Sequence, residues 1–389
     1  MTKDLPNPST GRCGERVEPS GHRSIAHLDK LVAAVPTAAR AIFDRIFHVS
    51  TTVGQLDPPE TMRQWIEGYF GSVEAVKSQR IVKITNLVTM EGSLFNELRA
   101  SRPMEAKASS DLEETIMSNL GDPFCKPLEG TPADTFGRVR GKHSITASNV
   151  AKYDGLHGVV VFDEHNPLVF SSGEVSDYLD TALAWARKAH DVDREARYFF
   201  FLWNCLWKSG ASILHGHAQM TLSRDLHYAK VEHLRRSALR YRETHGVNYF
   251  DDLYAAHKAL GLTLESGNTR ILAYLTPIKE KEVLLISGEL DQDLKDSIYK
   301  VLRSFVERLG VQSFNLALYH KPFDSAQDRP ITDVEEDWSG FPVVVRIVDR
   351  GDPNNKTADI GAMELYAASV IASDPFRVAE ALREELISV

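Results

Sequence analysis

The sequence predicts an α+β protein in which helices flank antiparallel sheets. Between about residues 137 and 220, short β-rich runs alternate with one amphipathic helix and end in a further strand, an order typical of this class. A similar order recurs between about residues 270 and 348, which indicates a degenerate second copy, so that the chain has two pseudo-repeated halves. Residues 24–47 and 58–77 have apolar residues at helical spacing and predict an N-terminal helical extension.

The first half is predicted from β-rich runs that surround one helix. Residues 174–192 form an amphipathic helix, because Val175, Leu179 and Ala182 fall on one face. Around it, alternation and β-branched residues predict strands at 80–84, 137–140, 158–162 and 198–202.

The second half begins after a basic helix over 226–245, whose arginines we expect to face solvent or a dimer edge. Strands follow at 270–275, 283–286, 314–319 and 343–348, with helices at 290–309 and 375–387. The polar, acidic stretch 323–337 is predicted to be a surface loop. The sequence therefore divides into a disordered tail and helical extension (1–79), a first half (80–230) and a degenerate second half (231–389).

The composition excludes several classes of protein. A net charge of -9 argues against a nucleic-acid surface, which needs clustered positive charge. No apolar run approaches the roughly 20 residues that span a bilayer, so no membrane partner is expected. Residues 1–22 are polar and read as a disordered tail, not a signal peptide. Three widely spaced cysteines form no disulfide framework and favour the reducing cytoplasm.

The segment 203–220 contains the pattern that points to chemistry. His215, His217 and Gln219 alternate after a Gly/Ser turn. Side chains at i, i+2 and i+4 of a strand share one face, so we expect these three to point into one pocket. A held imidazole can attack phosphorus, and a neutral amide beside it can donate hydrogen bonds to the phosphoryl oxygens.

With Asn204, Gly210 and Ser212 ahead of it, this segment resembles the active site of the galactose-1-phosphate uridylyltransferase family, the transferase branch of the histidine-triad superfamily. The resemblance implies a histidine-triad-like fold and a catalytic role for His217, Gln219, His215 and Ser212, with His217 as nucleophile. The hydrolase branch has a third histidine where this chain has Gln219, which favours transfer over hydrolysis. The implied reaction moves a nucleoside monophosphate from a nucleoside diphosphate sugar to a sugar 1-phosphate through a nucleotidyl-histidine.

The resemblance also implies binding residues outside the motif. In addition to Asn204 and Gly210, it assigns phosphate or nucleotide contacts to Arg99, Arg102 and Asn149, and a sugar contact to Glu364. Guanidinium groups suit phosphate because they pair with it bidentately and stay charged. Val150 replaces the family's uridine-reading aspartate, which leaves adenine and guanine as plausible as uracil. Glu364 serves equally well as a charge at a helix N-terminus.

The resemblance also implies a possible cofactor, a structural zinc ion. The family holds it with a Cys-x-x-Cys pair and two histidines, and here Cys125, His165 and His215 match three of these ligands. Leu128 stands at the position expected for the second cysteine of the pair. Three ligands fall short of the usual four, so we expect no bound zinc. Zinc binding by Cys125, His165 and His215 nevertheless remains an alternative.

Two further functions remain open. A phosphorylase of the same branch would cleave a nucleoside diphosphate sugar or a dinucleoside polyphosphate with inorganic phosphate. A catalytically degenerate relative would bind nucleotide without turnover. The resembled family also implies a homodimer.

Overall fold

The computed structural model of the chain describes residues 23–96, 98–99, 112–323, 337–355 and 360–387. The predicted tail 1–22, most of the predicted surface loop at 323–337, and Arg102 lie outside the described residues.

The described residues contain thirteen strands and twelve α-helices. The strands are β1 (Phe47–Gln55), β2 (Ser78–Asn86), β3 (Gly92–Phe95), β4 (Ser144–Ser148), β5 (Leu156–Phe162), β6 (Tyr198–Asn204), β7 (His217–Ser223), β8 (Thr263–Ser266), β9 (Thr269–Ala273), β10 (Val283–Ser287), β11 (Phe314–Tyr319), β12 (Val343–Asp349) and β13 (Ser369–Ile371). The helices are α1 (Leu28–Ala34), α2 (Thr37–Ile46), α3 (Arg63–Phe70), α4 (Val73–Lys77), α5 (Leu112–Met117), α6 (Pro127–Gly130), α7 (Ser172–Val192), α8 (Ala229–His245), α9 (Tyr249–Leu260), α10 (Gln292–Glu307), α11 (Ala362–Tyr366) and α12 (Pro375–Ile387).

Nine strands form one antiparallel sheet in the order β4-β5-β7-β6-β11-β12-β10-β9-β8. Apart from β8 at one edge, the order is symmetric about the β6–β11 pair, where Leu202 lies opposite Ala317. Each half has the same sequence of elements: two paired strands, a long helix, then two more strands. The predicted α+β fold with two pseudo-repeated halves is confirmed, and β12 of the second half corresponds to β7 of the first.

The two long helices lie side by side on one face of this sheet. Helix α7 begins with a capping box, in which Ser171 and Glu174 satisfy each other's backbone N–H groups. It contacts α10 through hydrogen bonds from Ser172 to Asp296 (2.9 Å) and from Lys295 to Asp180 (2.7 Å). The predicted apolar face of α7 is buried against the sheet, which leaves the opposite face of the first half for the motif residues.

The N-terminal extension is helical, but it also contains β1, a nine-residue strand that the sequence analysis missed. β1 pairs along its whole length with β2, and β13 closes the resulting four-stranded sheet from the C-terminal side. Because β2 spans Ser78–Asn86, the proposed division after residue 79 falls within this hairpin. The three-part division stays a prediction.

Two local predictions were wrong. Residues 137–140 form isolated bridges and not a strand, because Gly137 has a positive φ of 85° that turns the chain. In the basic helix, Arg235 is buried rather than solvated: its guanidinium pairs with Glu232 at 2.7 Å and lies over the ring of Trp338. Burial is tolerated because the carboxylate compensates the charge.

Among the helices of the described ranges, none combines the length and the apolar character needed to cross a membrane.

Candidate active site

His217 is the first residue of β7 and is almost fully buried. Its Nδ1 atom lies 2.8 Å from the backbone carbonyl oxygen of His215. A carbonyl oxygen can only accept, so Nδ1 holds the proton and Nε2 keeps a free lone pair. Burial lowers the pKa of His217, which favours the neutral ring. The ring therefore has the protonation state that a nucleophile requires.

Gly216 determines how closely the chain before β7 approaches the end of β5. A Cβ atom at this position would lie 2.7 Å from Cδ2 of Phe162 and 2.8 Å from the carbonyl oxygen of Glu164. Its N–H donates to the carbonyl of His165 (2.9 Å), and its own carbonyl accepts from Phe162 (3.0 Å). The absence of a side chain thus fixes His215 and His217 relative to His165.

Gln219 lies two residues further along β7, on the same face of the sheet as His217. Its carbonyl oxygen is 2.9 Å from Nε2 of His157 and 3.3 Å from the side-chain nitrogen of Asn149. The carbonyl end of the amide is therefore occupied by these neighbours, and its NH₂ end is the one left to donate to a ligand.

Asn204 at the end of β6 and the loop that follows it are both held by Asn315 of the second half. The Oδ1 atom of Asn204 accepts from the side-chain amide of Asn315 at 2.6 Å, and that amide also donates to the carbonyl of Ser209 at 2.9 Å. Arg350 donates to the Oδ1 atom of Asn315 at 2.5 Å. Since the carbonyl end of Asn204 is occupied, its NH₂ group is the end available to a substrate.

Two histidine rings face each other behind His217. The Nε2 atom of His165 lies 3.0 Å from the carbonyl of Ile116, and that of His215 lies 2.8 Å from the carbonyl of Phe162. Each ring must donate from Nε2, so in the neutral form each Nδ1 has a lone pair. The two Nδ1 atoms are 3.0 Å apart, and each is 3.5 Å from the Sγ atom of Cys125. Lone pairs at this distance repel unless a cation lies between them.

Asp122 completes this set of donors. Its Oδ1 atom caps a short 3-10 helix by accepting from the N–H groups of Phe124 and Cys125. Within the described part of the chain, its buried Oδ2 atom has no hydrogen-bond partner, and it lies 3.9 Å from Nδ1 of His165.

Asp122, Cys125, His165 and His215 each offer one ligand atom, and these four atoms lie within 4.8 Å of one another. Ligands of a tetrahedral zinc are about 3.3–3.8 Å apart, so small side-chain adjustments would let these four atoms bind such an ion. Backbone carbonyls accept from Nε2 of both histidines, as is usual for histidines that bind a metal through Nδ1. We name these four residues the DCHH cluster. The sequence-based count of three ligands was too low: Leu128 is an exposed side chain, and the fourth donor precedes Cys125.

Comparison with solved structures identifies the fold. An ADP-glucose phosphorylase from Arabidopsis thaliana with bound ADP-glucose is similar with a TM-score of 0.56 and 17% identity, covering 76% of this chain and 96% of that one. A galactose-1-phosphate-uridylyltransferase-like protein from Arabidopsis thaliana has a TM-score of 0.54 and 17% identity, with 77% and 97% covered. A uridylyltransferase has a TM-score of 0.52 and 16% identity, with 66% and 89% covered. The sequence matches no protein-family model and no curated protein.

The chain has the galactose-1-phosphate uridylyltransferase fold. The resemblance stated from the sequence is thus confirmed at the level of the fold. The strand with His217 and Gln219 lies inside the sheet of the first half, where both neighbouring strands support it.

Within this uridylyltransferase fold, the remaining predicted residues differ in their surroundings. Gly210 and Ser212 are exposed on the β6–β7 loop, and Gly210 has a positive φ of 101°. Arg99 is exposed just after β3. Glu364 accepts from the N–H of Gly361 at 2.9 Å and so caps the start of α11. Their substrate contacts stay predictions, as does that of Arg102, which lies outside the described residues.

Four residues of this site were not assigned to it from the sequence: Asp122, His157, Asn315 and Arg350. Of these, only His157 was considered, as a residue that could lie near the pocket but for which a structural role was favoured. A signal existed for Asp122, because it stands three residues before Cys125, the spacing of a Cys-x-x-Cys pair with one cysteine replaced. The other three are brought to the site by strand pairing and by the contact between the two halves, which no local pattern records.

Proposed function

We propose that the chain is a nucleotidyltransferase that carries a nucleoside monophosphate on Nε2 of His217. The observation that supports this most directly is the hydrogen bond from Nδ1 of His217 to the carbonyl of His215, which leaves Nε2 unprotonated in a buried ring. In the first step the Nε2 lone pair attacks the α-phosphorus of a nucleoside diphosphate sugar. An N–P bond forms, the bond from the α-phosphorus to the bridging oxygen breaks, and the sugar 1-phosphate leaves with that electron pair.

In the second step an oxygen of the acceptor phosphate attacks the same phosphorus. The N–P bond breaks and its electrons return to Nε2. Phosphate esters leave readily as anions, so neither step needs a third histidine as an acid, and placed hydrogen-bond donors supply most of the catalysis. The NH₂ groups of Gln219 and Asn204 would bind the non-bridging oxygens, while Ser212 and the backbone at Gly210 would hold the leaving phosphate.

The second candidate is a phosphorylase, in which inorganic phosphate is the acceptor. The carboxylate of Glu364 is engaged as a helix cap, which weakens the expected contact with a sugar acceptor. Val150 is 85% exposed and its side chain offers no hydrogen bond to uracil, so an adenine nucleotide fits equally well. A similar structure is named an ADP-glucose phosphorylase, which is consistent with this alternative.

We further propose that the DCHH cluster holds one zinc ion. Four protein ligands would leave no open coordination position, so the ion would supply structural stability and would not bind substrate.

A homodimer and a cytoplasmic location stay predictions that mass photometry and cell fractionation would check.

Intact-mass measurement at neutral pH tests the proposed function. The protein is mixed separately with UDP-glucose, ADP-glucose, GDP-mannose and diadenosine tetraphosphate, without acid because phosphoramidates are acid-labile. A mass gain of one nucleoside monophosphate, absent in His217→Asn, supports the proposal and names the base. Discharge of the adduct by inorganic phosphate but not by a sugar 1-phosphate would select the phosphorylase. Binding without any adduct would leave the catalytically degenerate relative.

A further inference from the structure

We propose that His157 is a positioning residue, which fixes the end of the Gln219 carboxamide that faces the substrate. The proposal rests on the proposed function of the site and deepens it. The two ends of a carboxamide are nearly equal in size, but only the NH₂ end can donate to a phosphoryl oxygen, while the carbonyl end would repel it. A device that selects one orientation is therefore needed for Gln219 to stabilise a transferring phosphoryl group.

The tautomer of His157 is fixed by a backbone N–H group, which can only donate. The N–H of Tyr153 donates to Nδ1 of His157 at 2.9 Å, so this nitrogen must have a lone pair. The proton of the neutral ring is then on Nε2, which lies 2.9 Å from Oε1 of Gln219. Only a carbonyl oxygen can accept that proton, so the amide cannot be reversed without breaking the hydrogen bond.

A second backbone N–H enforces the same orientation through Asn149. The N–H of Ala151 donates to Oδ1 of Asn149 at 3.0 Å, so the NH₂ group of Asn149 faces the other way. It lies 3.2 Å from Nε2 of His157 and 3.3 Å from Oε1 of Gln219, and because Nε2 holds the ring proton, only Oε1 can accept from it. The Gln219 oxygen thus receives two donors, each fixed by a different backbone group. Both ends of the Asn149 carboxamide are therefore hydrogen-bonded within the site.

The surroundings of His157 favour its neutral form and pack closely around the ring. The side chain is completely buried, and the ring of Tyr153 stacks on it with centroids 4.4 Å apart. Burial lowers the pKa of His157, which is consistent with a single proton on Nε2. On β5, His157 lies two residues from Val159, which pairs with Gln219 of β7, so the sheet itself sets their separation.

A double-mutant cycle tests the proposal, with His157→Phe, Gln219→Ala and the double variant. His157→Phe keeps a ring of similar volume but removes the Nε2–H donor. We expect it to slow adduct formation in a single turnover by about 10- to 100-fold, the range seen when a supporting hydrogen bond or one phosphoryl donor is lost. In the Gln219→Ala background the same change should alter the rate less than about twofold, because no amide is left to orient. His157→Gln, which places an amide N–H near the former Nε2, should recover part of the rate.

His257→Phe is the matched control. His257 is also completely buried, but its Nδ1 donates to the carbonyl of Leu253 and its Nε2 accepts from the N–H of Leu275, both backbone groups. This variant should lose stability without losing the rate of adduct formation per folded molecule. The proposal is overturned if His157→Phe leaves the rate unchanged, or slows it equally in the Gln219→Ala background.

The affinity for AMP and UMP, measured by calorimetry over the same cycle, separates this proposal from the proposed function. If the wild-type chain forms no adduct, the function fails, yet a loss of affinity in His157→Phe that disappears in the Gln219→Ala background still supports the orienting role. If neither the rate nor the affinity shows this coupling, the orienting role is wrong, whether or not the wild-type chain forms the adduct.

Discussion

The carbonyl oxygen of His215 accepts the Nδ1 proton of His217, 2.8 Å away, while the ring of His215 belongs to the DCHH cluster. One residue therefore links the candidate metal ligands to the candidate nucleophile. Any ion that fixes the ring of His215 also fixes the carbonyl that sets the tautomer of His217.

This link predicts that the DCHH cluster contributes to stability through a bound metal. Protein purified without chelator should contain about one zinc per chain, and Asp122→Asn or Cys125→Ser should lower that content and the melting temperature, because fewer than four ligands remain. Elemental analysis and calorimetry measure both. Asp163→Asn is the control, since it changes the same charge at an exposed carboxylate paired with Arg140. Equal zinc content in the wild type and all variants would contradict the assignment.

Gly216→Ala should disrupt the site without touching a substrate-binding group. The new methyl group would lie 2.7 Å from the ring of Phe162 and 2.8 Å from a backbone oxygen, so the entry to β7 must shift. Overpacking of this kind costs roughly 1–3 kcal/mol of the free energy of unfolding, and the rate of adduct formation should fall as well. Urea unfolding and single-turnover rates check this.

Gly68→Ala is the matched control for that substitution. Gly68 lies within α3, and a Cβ atom there would meet nothing within 4 Å. Alanine is favoured over glycine inside a helix by roughly 0.5–1 kcal/mol, so this variant should be neutral or more stable. If both variants behave alike, the close approach at Gly216 has no role.

The sequence predicted the strands and helices that contain the motif, because their periodicity is local. The long hairpin strand β1 was missed, because most of its residues are polar or exposed and give no strong apolar alternation. Asp122 was missed because it has a carboxylate where the Cys-x-x-Cys pattern has a thiol, and because it precedes Cys125, whereas the second cysteine was expected after it, at Leu128. Strand registers bring His157 to Gln219 and Asn315 to Asn204, and a register is a property of the folded sheet.

A pH dependence of stability is predicted from His257. Its ring is enclosed by Phe47 and Tyr274, and burial lowers its pKa to about 4. Between pH 6.5 and 4 the unfolded chain binds a proton that the folded chain does not. The neutral ring of His257 therefore makes its full contribution to the free energy of unfolding above pH 6.5. This contribution decreases as the pH falls toward 4, by at most about 3 kcal/mol. Urea unfolding between pH 7 and 5 should show a smaller decrease in His257→Phe; an equal decrease in both proteins would contradict the prediction.

Arg346 should be structural, although it lies on the same sheet face as Gln219. Gln219 pairs with Leu202, and Arg346 pairs with Ala317, the residue opposite Leu202. At the position where the first half has the Gln219 amide, the second half therefore has the partly buried guanidinium of Arg346. It pairs with Glu282 and Glu91, each at 2.6 Å.

Arg346→Met would leave Glu282 buried and without its cation. We expect a loss of about 3–5 kcal/mol in the free energy of unfolding, and the double variant Arg346→Met, Glu282→Gln should recover part of it, because the uncompensated charge is the main cost. Arg63→Met, at an exposed pair with Glu60, should change the free energy of unfolding far less, because solvent screens the pair. Urea unfolding gives these values, while adduct formation per folded molecule should remain at the wild-type rate. A lost adduct in stably folded Arg346→Met would instead mean that the second half takes part in the chemistry.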